Sequence, residues 1–498
     1  MGIRTWWKER RVRRAMEVLK RSGYAAATPS RLDNWLPVNE QINHLIGSAS
    51  PRLRARVRDL VRNFPLFSRG VNAYTAYLVG GGARFQSLAV NPDSTPNHAA
   101  RNRIESRFRL WMDEDADISG RMHFYEIQQL LCRGLLESGE GFFQFAQRRK
   151  YRVSPLCLLP LDPDRIQGYG IAAGGRDRDC YSGIEYDRLT GEALNYYVMG
   201  DGSIFGREVV VPADEMVHVY QVLRPGQLRG VTPLAPAILV ARAMADYTQA
   251  ELDASKMAAK YMAFVTTPDP AMFQASRGIV GRSGSTPDKP IEDLENSIIE
   301  YLRPGEAINF ASPTTRPGDA FDRFCKYAAR MIAVSIDVPY EILSGDYTGV
   351  NYSTCKAARG DTQLLLRPHH FMMRRFAMRV FRRWLDTEAV LHPSDFPGYW
   401  TARELYSPAL WIPAGVPSVD PQRDGRAHIE AIAAGLESPQ QAILADGRDP
   451  EEVVAQIAEY QQMLKAAGIT LGKVSSSLSN NPAALEDQPA EMPSEEGI

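Results

Sequence analysis

Between Phe321 and Leu385 the sequence spells two helices joined by a short polar loop, and any fold for this chain has to accommodate that hairpin. Phe321, Phe324, Ala328, Met331, Ile332 and Ile336 recur at helical spacing and predict one apolar face. Asp337, Val338 and Pro339 stop the first helix, because proline disfavours helical geometry in the residue before it. Ser344 to Ser353 carries the glycines, Asp346 and Asn351 of a mobile loop, and Asn351 or Ser353 is in position to cap the second helix. That second helix is predicted to be interrupted at Pro368, whose ring removes a hydrogen bond from the ladder. No residue type here points to a catalytic pocket, so the hairpin is read as mechanical.

At 498 residues the chain exceeds one ordinary core, and two to four packed regions are expected. Lys and Arg total 58 against 59 acids, which is not the bulk signature of tight nucleic-acid binding, although local clusters remain. Cys132, Cys157, Cys180, Cys325 and Cys355 form no Cys-x-x-Cys pair and have no histidine at zinc spacing. Free thiols in a reducing compartment are therefore expected, with no metal and no cofactor. No apolar run approaches the roughly 18 residues of a membrane span, and the basic N-terminus lacks the apolar core of a secretory signal. Val79 to Gly82 follows a strand-like run but lacks the nucleotide-loop spacing. Gly468 to Lys473 fails as well, because Val474 follows the lysine where a serine or threonine is needed, so a nucleotide-hydrolysing site is not supported.

In chain order, residues 1–23 predict a basic amphipathic helix, for contact with nucleic acid, a scaffold or a neighbouring subunit, or simply a solvated terminal helix. Pro51 to Asn63 predicts another, with Leu53, Val57, Leu60 and Val61 inward and a solvated or subunit-bridging arginine face. Short strands are predicted at 142–146, 156–161, 194–199, 209–211 and 216–220, assembled as one antiparallel sheet. His218 reads as a satisfied strand histidine, and Glu137, Glu140, Asp162 and Asp164 give no reason to be grouped around a metal. Pro236 to Phe264 predicts a long alanine-rich helix that neighbours can approach closely. The proline-broken stretch 266–318 predicts a small subdomain, with a helix at 291–302 and a strand at 307–310. Residues 389–421 are expected to wrap a surface, anchored by Trp400 and Trp411. Helices follow at 423–435 and 449–467, then a disordered acidic tail beyond Lys473.

These segments, in this order, resemble the bacteriophage portal proteins of the lambda-like family. The resemblance rests on Tyr24 with Arg31 and Trp35, on Leu53 to Asn63, on Leu136 to Phe142, and on Val211-Pro-Ala, His218-Val-Tyr and Arg229 to Leu234. Leu302 to Glu306 and Val338 to Ser353 are its most specific pieces, and Trp411, Val419 to Pro421 and Gly435 to Ser438 complete it. Two departures stand out: Ser353-Thr354-Cys355-Lys356 where the family has two serines followed by an arginine, and Gln422-Arg423 where it has a Lys-Glu pair. They put fine contacts in doubt and not the family.

The resemblance implies a mainly helical α+β portal fold of wing, stem, clip and crown, assembled as a dodecameric ring with a central channel. By its terms residues 1–232 are the wing, 233–265 the first stem helix, 266–318 the clip and 319–343 the second stem helix. Residues 344–351 are then the tunnel loop, 352–422 a kinked long helix returning to the wing, 423–472 the crown and 473–498 the tail. It implies a non-enzymatic role in the virion at one capsid vertex, after assembly in the host cytoplasm. Partners would be other copies, the terminase large subunit, head-completion or adaptor proteins, major capsid and scaffold proteins, and double-stranded DNA passing non-specifically, with no membrane. Rival classes are a phage nuclease or other DNA-processing enzyme, which needs a carboxylate cluster or nucleotide loop, and a capsid or adaptor protein of another kind.

On that reading Ser344, Gly345, Asp346, Tyr347, Thr348, Gly349, Val350 and Asn351 form the loop facing DNA. Asp322, Arg323, Lys326 and Arg330 face the channel or a stem interface. Arg375, Arg379 and Arg382 share one helical face, for contact with a neighbouring subunit in preference to DNA. A ring repeats every charge, and duplex DNA carries about one negative charge per 1.7 Å, so a bore lined by unmatched lysines would grip DNA instead of letting it slide.

Overall fold

Phe64 breaks the helical run with an extended backbone, and Pro65 starts the next helix in the one position where a missing N–H costs nothing. The computed structural model describes residues 39–168, 177–200, 208–260, 264–266, 307–309, 319–415, 418 and 420–469. The expected helices at 1–23 and 291–302 and the tail beyond Lys473 lie outside them. The chain divides into two units, Met1–Pro413 and Ala414–Ile498.

The first unit opens with α1 (Ile42–Asn63) and α2 (Pro65–Leu78). α1 begins nine residues before Pro51 and carries that proline within it. The apolar run before Gly80 is helix α2 and not a strand; burial of Phe67, Val71, Tyr74 and Leu78 at helical spacing decides it. Then come β1 (Arg84–Ser87), α3 (His98–Glu114), α4 (Phe124–Glu137), β2 (Glu140–Gln147) and β3 (Leu156–Leu161). They are followed by β4 (Arg178–Tyr181), β5 (Ile184–Asp187), β6 (Ala193–Val198), β7 (Val209–Pro212) and β8 (Met216–Tyr220). In place of the single sheet expected, β3-β2-β8 and β4-β5-β6-β7 form separate antiparallel sheets. Ser182 and Gly183, both at positive φ, make the two-residue turn between β4 and β5, a hairpin that the sequence pattern did not reveal. A third pair joins β1 to β11 (Ala409–Ile412), with Phe85 opposite Trp411.

α5 (Ile238–Lys260) enters through a 3-10 turn at Ala235–Ala237. Residue 264, expected in this helix, belongs instead to strand β9 (Phe264–Thr266), paired antiparallel with β10 (Ala307–Asn309). Phe-Val-Thr suits a pleated ladder better than a helix. α6 (Asp319–Ser335) ends just before the stop read at Asp337 to Pro339, short of the 319–343 that the resemblance implies. Asp337 takes a left-handed conformation (φ 54°) and Val338 N–H bonds Ala333 O at 3.2 Å, which closes the helix by the six-to-one bond of a left-handed cap. The short α7 (Tyr340–Ser344) then restarts. On α6, Ala328, Ala329, Ile332 and Ala333 are buried, whereas Met331, expected inside, is exposed.

α8 (Tyr352–Leu391) runs 40 residues straight through Pro368, where an interruption was expected. A proline inside a helix costs about 3 kcal/mol or more. Beyond it Met373, Phe376, Val380, Phe381, Trp384 and Leu385 are all buried, each contributing about 1.5–3 kcal/mol, so the packed half offsets the defect. Phe108 sits at the centre of this core, 4.6 Å from Phe85, 4.8 Å from Trp384 and 5.3 Å from Phe381 between ring centroids. Trp411 joins the same cluster, but Trp400, expected as a second anchor, is exposed.

The second unit holds α9 (Pro421–Ala433), α10 (Pro439–Ala445) and α11 (Pro450–Ala466). All three begin with a capping residue followed by proline. Asp420 accepts from Arg423 N–H, Ser438 from Gln441 N–H and Asp449 from Glu451 N–H.

Candidate functional site

α5 and α6 pair through aromatic contacts, with Tyr247 5.4 Å from Phe321 and 5.2 Å from Phe324. Alanines at 241, 328, 329 and 333 are buried, so the two backbones approach closely. Of the four polar residues expected on α6, Asp322 and Lys326 bind each other at 2.8 Å, one turn apart. Arg330 lies over the Tyr340 ring at 5.2 Å, and Arg323 is also engaged. The lysine therefore does not present an unmatched charge.

The loop after α7 is built by its own hydrogen bonds. Ser344, still helical, accepts Asp346 N–H on Oγ at 3.1 Å while donating to Tyr340 O at 2.8 Å. Gly345 takes φ 73° and caps α7, a conformation that favours glycine. Asp346 folds an Asx turn by accepting Thr348 N–H at 3.1 Å. The Thr348 hydroxyl and amide hold the Asp346 carboxyl below its ordinary range. Val350 N–H reaches Tyr347 O at 3.2 Å, and Asn351 caps α8 by accepting Thr354 N–H at 2.8 Å. These bonds shape the loop, with Gly345, Tyr347, Thr348 and Gly349 exposed and Asp346 as its one charge.

Arg375, Arg379 and Arg382 do share a face. With Arg374, Arg383 and Arg403 they line an open groove of about 740 Å³ whose acids are Asp214 and Asp386. Arg383 pairs with Glu215 at 2.9 Å, Arg403 with Asp386 at 2.5 Å, and Arg379 donates to Ala213 O at 2.6 Å. Arg374, Arg375 and Arg382 make no ion pair among the described residues.

A fourth site was not anticipated. Glu140, completely buried at the start of β2, accepts from Arg229 Nη2 at 2.6 Å, from Gly230 N–H at 3.0 Å and from His218 Nε2 at 3.1 Å. Arg229 also donates to the carbonyls of Ile166, Ser182 and Pro163, tying both sheets to the segment that leads into α5. Burial opposes ionisation of Glu140, but Arg229 and the His218 hydrogen bond outweigh it and hold the carboxyl at about 2. Burial depresses His218, which fits a neutral ring donating from Nε2 to Glu140 and accepting the Tyr196 hydroxyl on Nδ1. Arg54 and Arg58, expected on a solvated or bridging face, turn inward instead: Arg54 lies 3.6 Å from Glu140, and both pair with Asp164 at 2.7 and 2.6 Å. Buried Glu140 draws Arg54 in, while the half-exposed Asp162 and Asp164 hold Arg58. The only signal in the sequence was an acid and an arginine in otherwise apolar company.

Among the described residues no group of three or more His, Cys, Asp or Glu is placed to hold a metal, and no helix is long and apolar enough to cross a membrane. All five cysteines are free.

A family model described as "Phage portal protein, lambda family" matches residues 28–365. The chain is 22% identical to the portal protein of Escherichia phage N15 and, equally, 22% identical to portal protein B of Escherichia phage lambda, each over 481 residues covering 88% of this chain and 89% of the relative. It is 25% identical over 473 residues to a probable portal protein of Halomonas phage phiHAP-1, covering 90% and 87%. Among solved structures, the neck of an empty GTA particle aligns at 17% identity and a TM-score of 0.45, covering 87% of this chain and 99% of that one.

Proposed function

The chain belongs to the lambda family of phage portal proteins, and from that membership we propose that twelve copies close into a ring at one capsid vertex, through which double-stranded DNA passes during packaging and ejection. The observation that carries this reading is the family match from residue 28 to 365, which spans the α5 and α6 pair and the whole loop between α7 and α8. α5 and α6 serve as stem helices and residues 344–351 as the loop nearest the DNA. The terminase large subunit and then the head-completion proteins dock on 266–318, most of which lies outside the described residues. Residues 1–232 contact capsid and scaffold proteins as the wing.

Electrostatics support sliding over gripping. The Asp322 and Lys326 pair cancels a charge that a ring would otherwise repeat as a positive belt. The loop adds Asp346 and no cation. Portal function calls for no bond making, so a structural rather than a catalytic role is assigned. The basic groove of α8 faces a neighbouring copy, where Arg375 and Arg382 find their acids.

Electron microscopy of the purified protein tests the reading: it requires rings with a central hole wide enough for duplex DNA. A chain that stays monomeric under every assembly condition, or that cleaves DNA with added metal, overturns it.

A further inference from the structure

Residues 228–237 carry the chain from the two sheets into α5, and hydrogen bonds hold this strap along its length. Leu228 N–H donates to Asn43 Oδ1 of α1 at 2.9 Å. Arg229 and Gly230 are held by Glu140, and Arg229 also by the carbonyls of Pro163, Ile166 and Ser182. The Thr232 hydroxyl donates to Leu136 O at the end of α4 and accepts Leu234 N–H at 3.1 Å. Gly139 and Gly230 cross so closely that a side chain on Gly230 would collide with the Gly139 carbonyl. Ala237 N–H bonds Leu234 O at 3.0 Å in the turn that starts α5. The strap leaves no hinge between the sheets and the helix.

What it fixes is a direction. Leu234, Ala237, Ile238 and Ala241 join the same core as Ile332, Ala333 and Ile336 around the end of α6. Past Ala241 no residue of α5, and before Ala328 none of α6, is buried among the described residues. The helix pair is therefore seated at one end only, and its tilt against the sheets is set there. On the ring reading the sheets belong to the wing and α5 to the stem, so the rotation between copies has to satisfy both levels at once. Twelve copies close at about 30° between neighbours and thirteen at about 28°, so about 2° separates the two rings. α5 has 23 residues and extends about 35 Å at the helical rise, so a tilt of about 2° moves its far end by only about 1 Å.

We propose that Arg229 and Thr232 are positioning residues that set the tilt of α5 against the sheets and, through it, the number of copies that close into a ring. This rests on the ring reading above and adds to it what fixes the copy number.

Mass spectrometry of intact rings counts copies and tests the proposal. Arg229→Lys keeps a charge for Glu140 but loses the planar fork that reaches the three carbonyls. Thr232→Val keeps the shape and loses both hydroxyl bonds. Phe108→Leu, in the core and outside the strap, is the control for lost stability. Both strap variants should shift or broaden the parent's copy number by one or more, whereas Phe108→Leu should lower Tm and keep that number. If Arg229→Lys does not fold, Thr232→Val decides. Folded strap variants with the parent's copy number overturn the proposal, and so does a shift in Phe108→Leu as large as theirs. Folded strap variants that do not close, while Phe108→Leu rings form, support it as a tilt beyond what closure tolerates. Failure of all three to close overturns it in favour of stability alone, and a parent chain that never forms rings fails the portal reading beneath it.

Discussion

Replacing Arg229 with methionine should be among the most damaging single changes in the first unit. Methionine keeps much of the volume but removes every donor that Arg229 directs at Glu140 and at the carbonyls of Pro163, Ile166 and Ser182. Glu140 is wholly buried, and what remains for its charge is Arg54 at 3.6 Å, His218 and Gly230 N–H. Breaking a buried ion pair from one side costs about 3–5 kcal/mol, because the other charge stays behind without compensation. The stranded carbonyls, at about 1 kcal/mol each, overlap with that loss and do not add to it in full. Trp111, Trp384 and Trp411 lie in the core, so their fluorescence follows unfolding of this unit in urea or on heating. The expected shift is roughly 3–6 °C in Tm for a unit of this size. Adding Glu140→Gln removes the orphaned charge and should recover about 1–2 kcal/mol, a coupling that a neutral site would not produce. An Arg229→Met protein within about 1 kcal/mol of the parent, or a double variant as unstable as the two losses summed, would refute the reasoning.

The same site sets an acid limit: Glu140 is depressed from 4.5 to about 2, so its stabilisation is intact above 4.5 and disappears as pH falls through that window. His218 is depressed below 6.5, so protonating it opposes folding at pH values below that; urea midpoints should fall between pH 7 and 5, and less so in His218→Gln, whose amide can still donate to Glu140. Reversing Arg375 and Arg382 to glutamate should leave the chain's own stability within about 0.5 kcal/mol, since neither makes an ion pair among the described residues, yet reduce ring yield in sedimentation; normal rings that leak DNA would place the groove on the DNA path. Deleting residues 345–349 should spare ring formation and impair packaging or retention of DNA in particles, and failure to form rings would assign the loop to the subunit contact.

Periodicity made most helices legible, because burial on one face writes a 3.6-residue repeat into α6 and into the packed half of α8. The family span misled at the end of α6: Asp337 and Pro339 read as its stop, and the helix ends at Ser335, eight residues before the limit of the 319–343 that the resemblance implies. Pro368 misled in the opposite sense, because the core beneath the later turns of α8 decides that helix and a single proline does not. The β4 to β5 hairpin, with mixed polar strands and no Asn-Gly turn, gave little signal. The loop was readable from its glycines and Asn351, whereas the Glu140 site was not, since Arg54, Arg58, Glu140, His218 and Arg229 come together only in three dimensions. Paired charges far apart in sequence look solvated until the fold buries them.

The most direct measurement is a reconstruction of the capsid vertex in particles that carry this protein. It should reveal twelve copies around one vertex, α5 and α6 surrounding a bore occupied by DNA, and residues 345–350 closest to it. The chain spread over the shell lattice, or a vertex ring with that loop turned away from the bore into the contact between copies, would contradict the account.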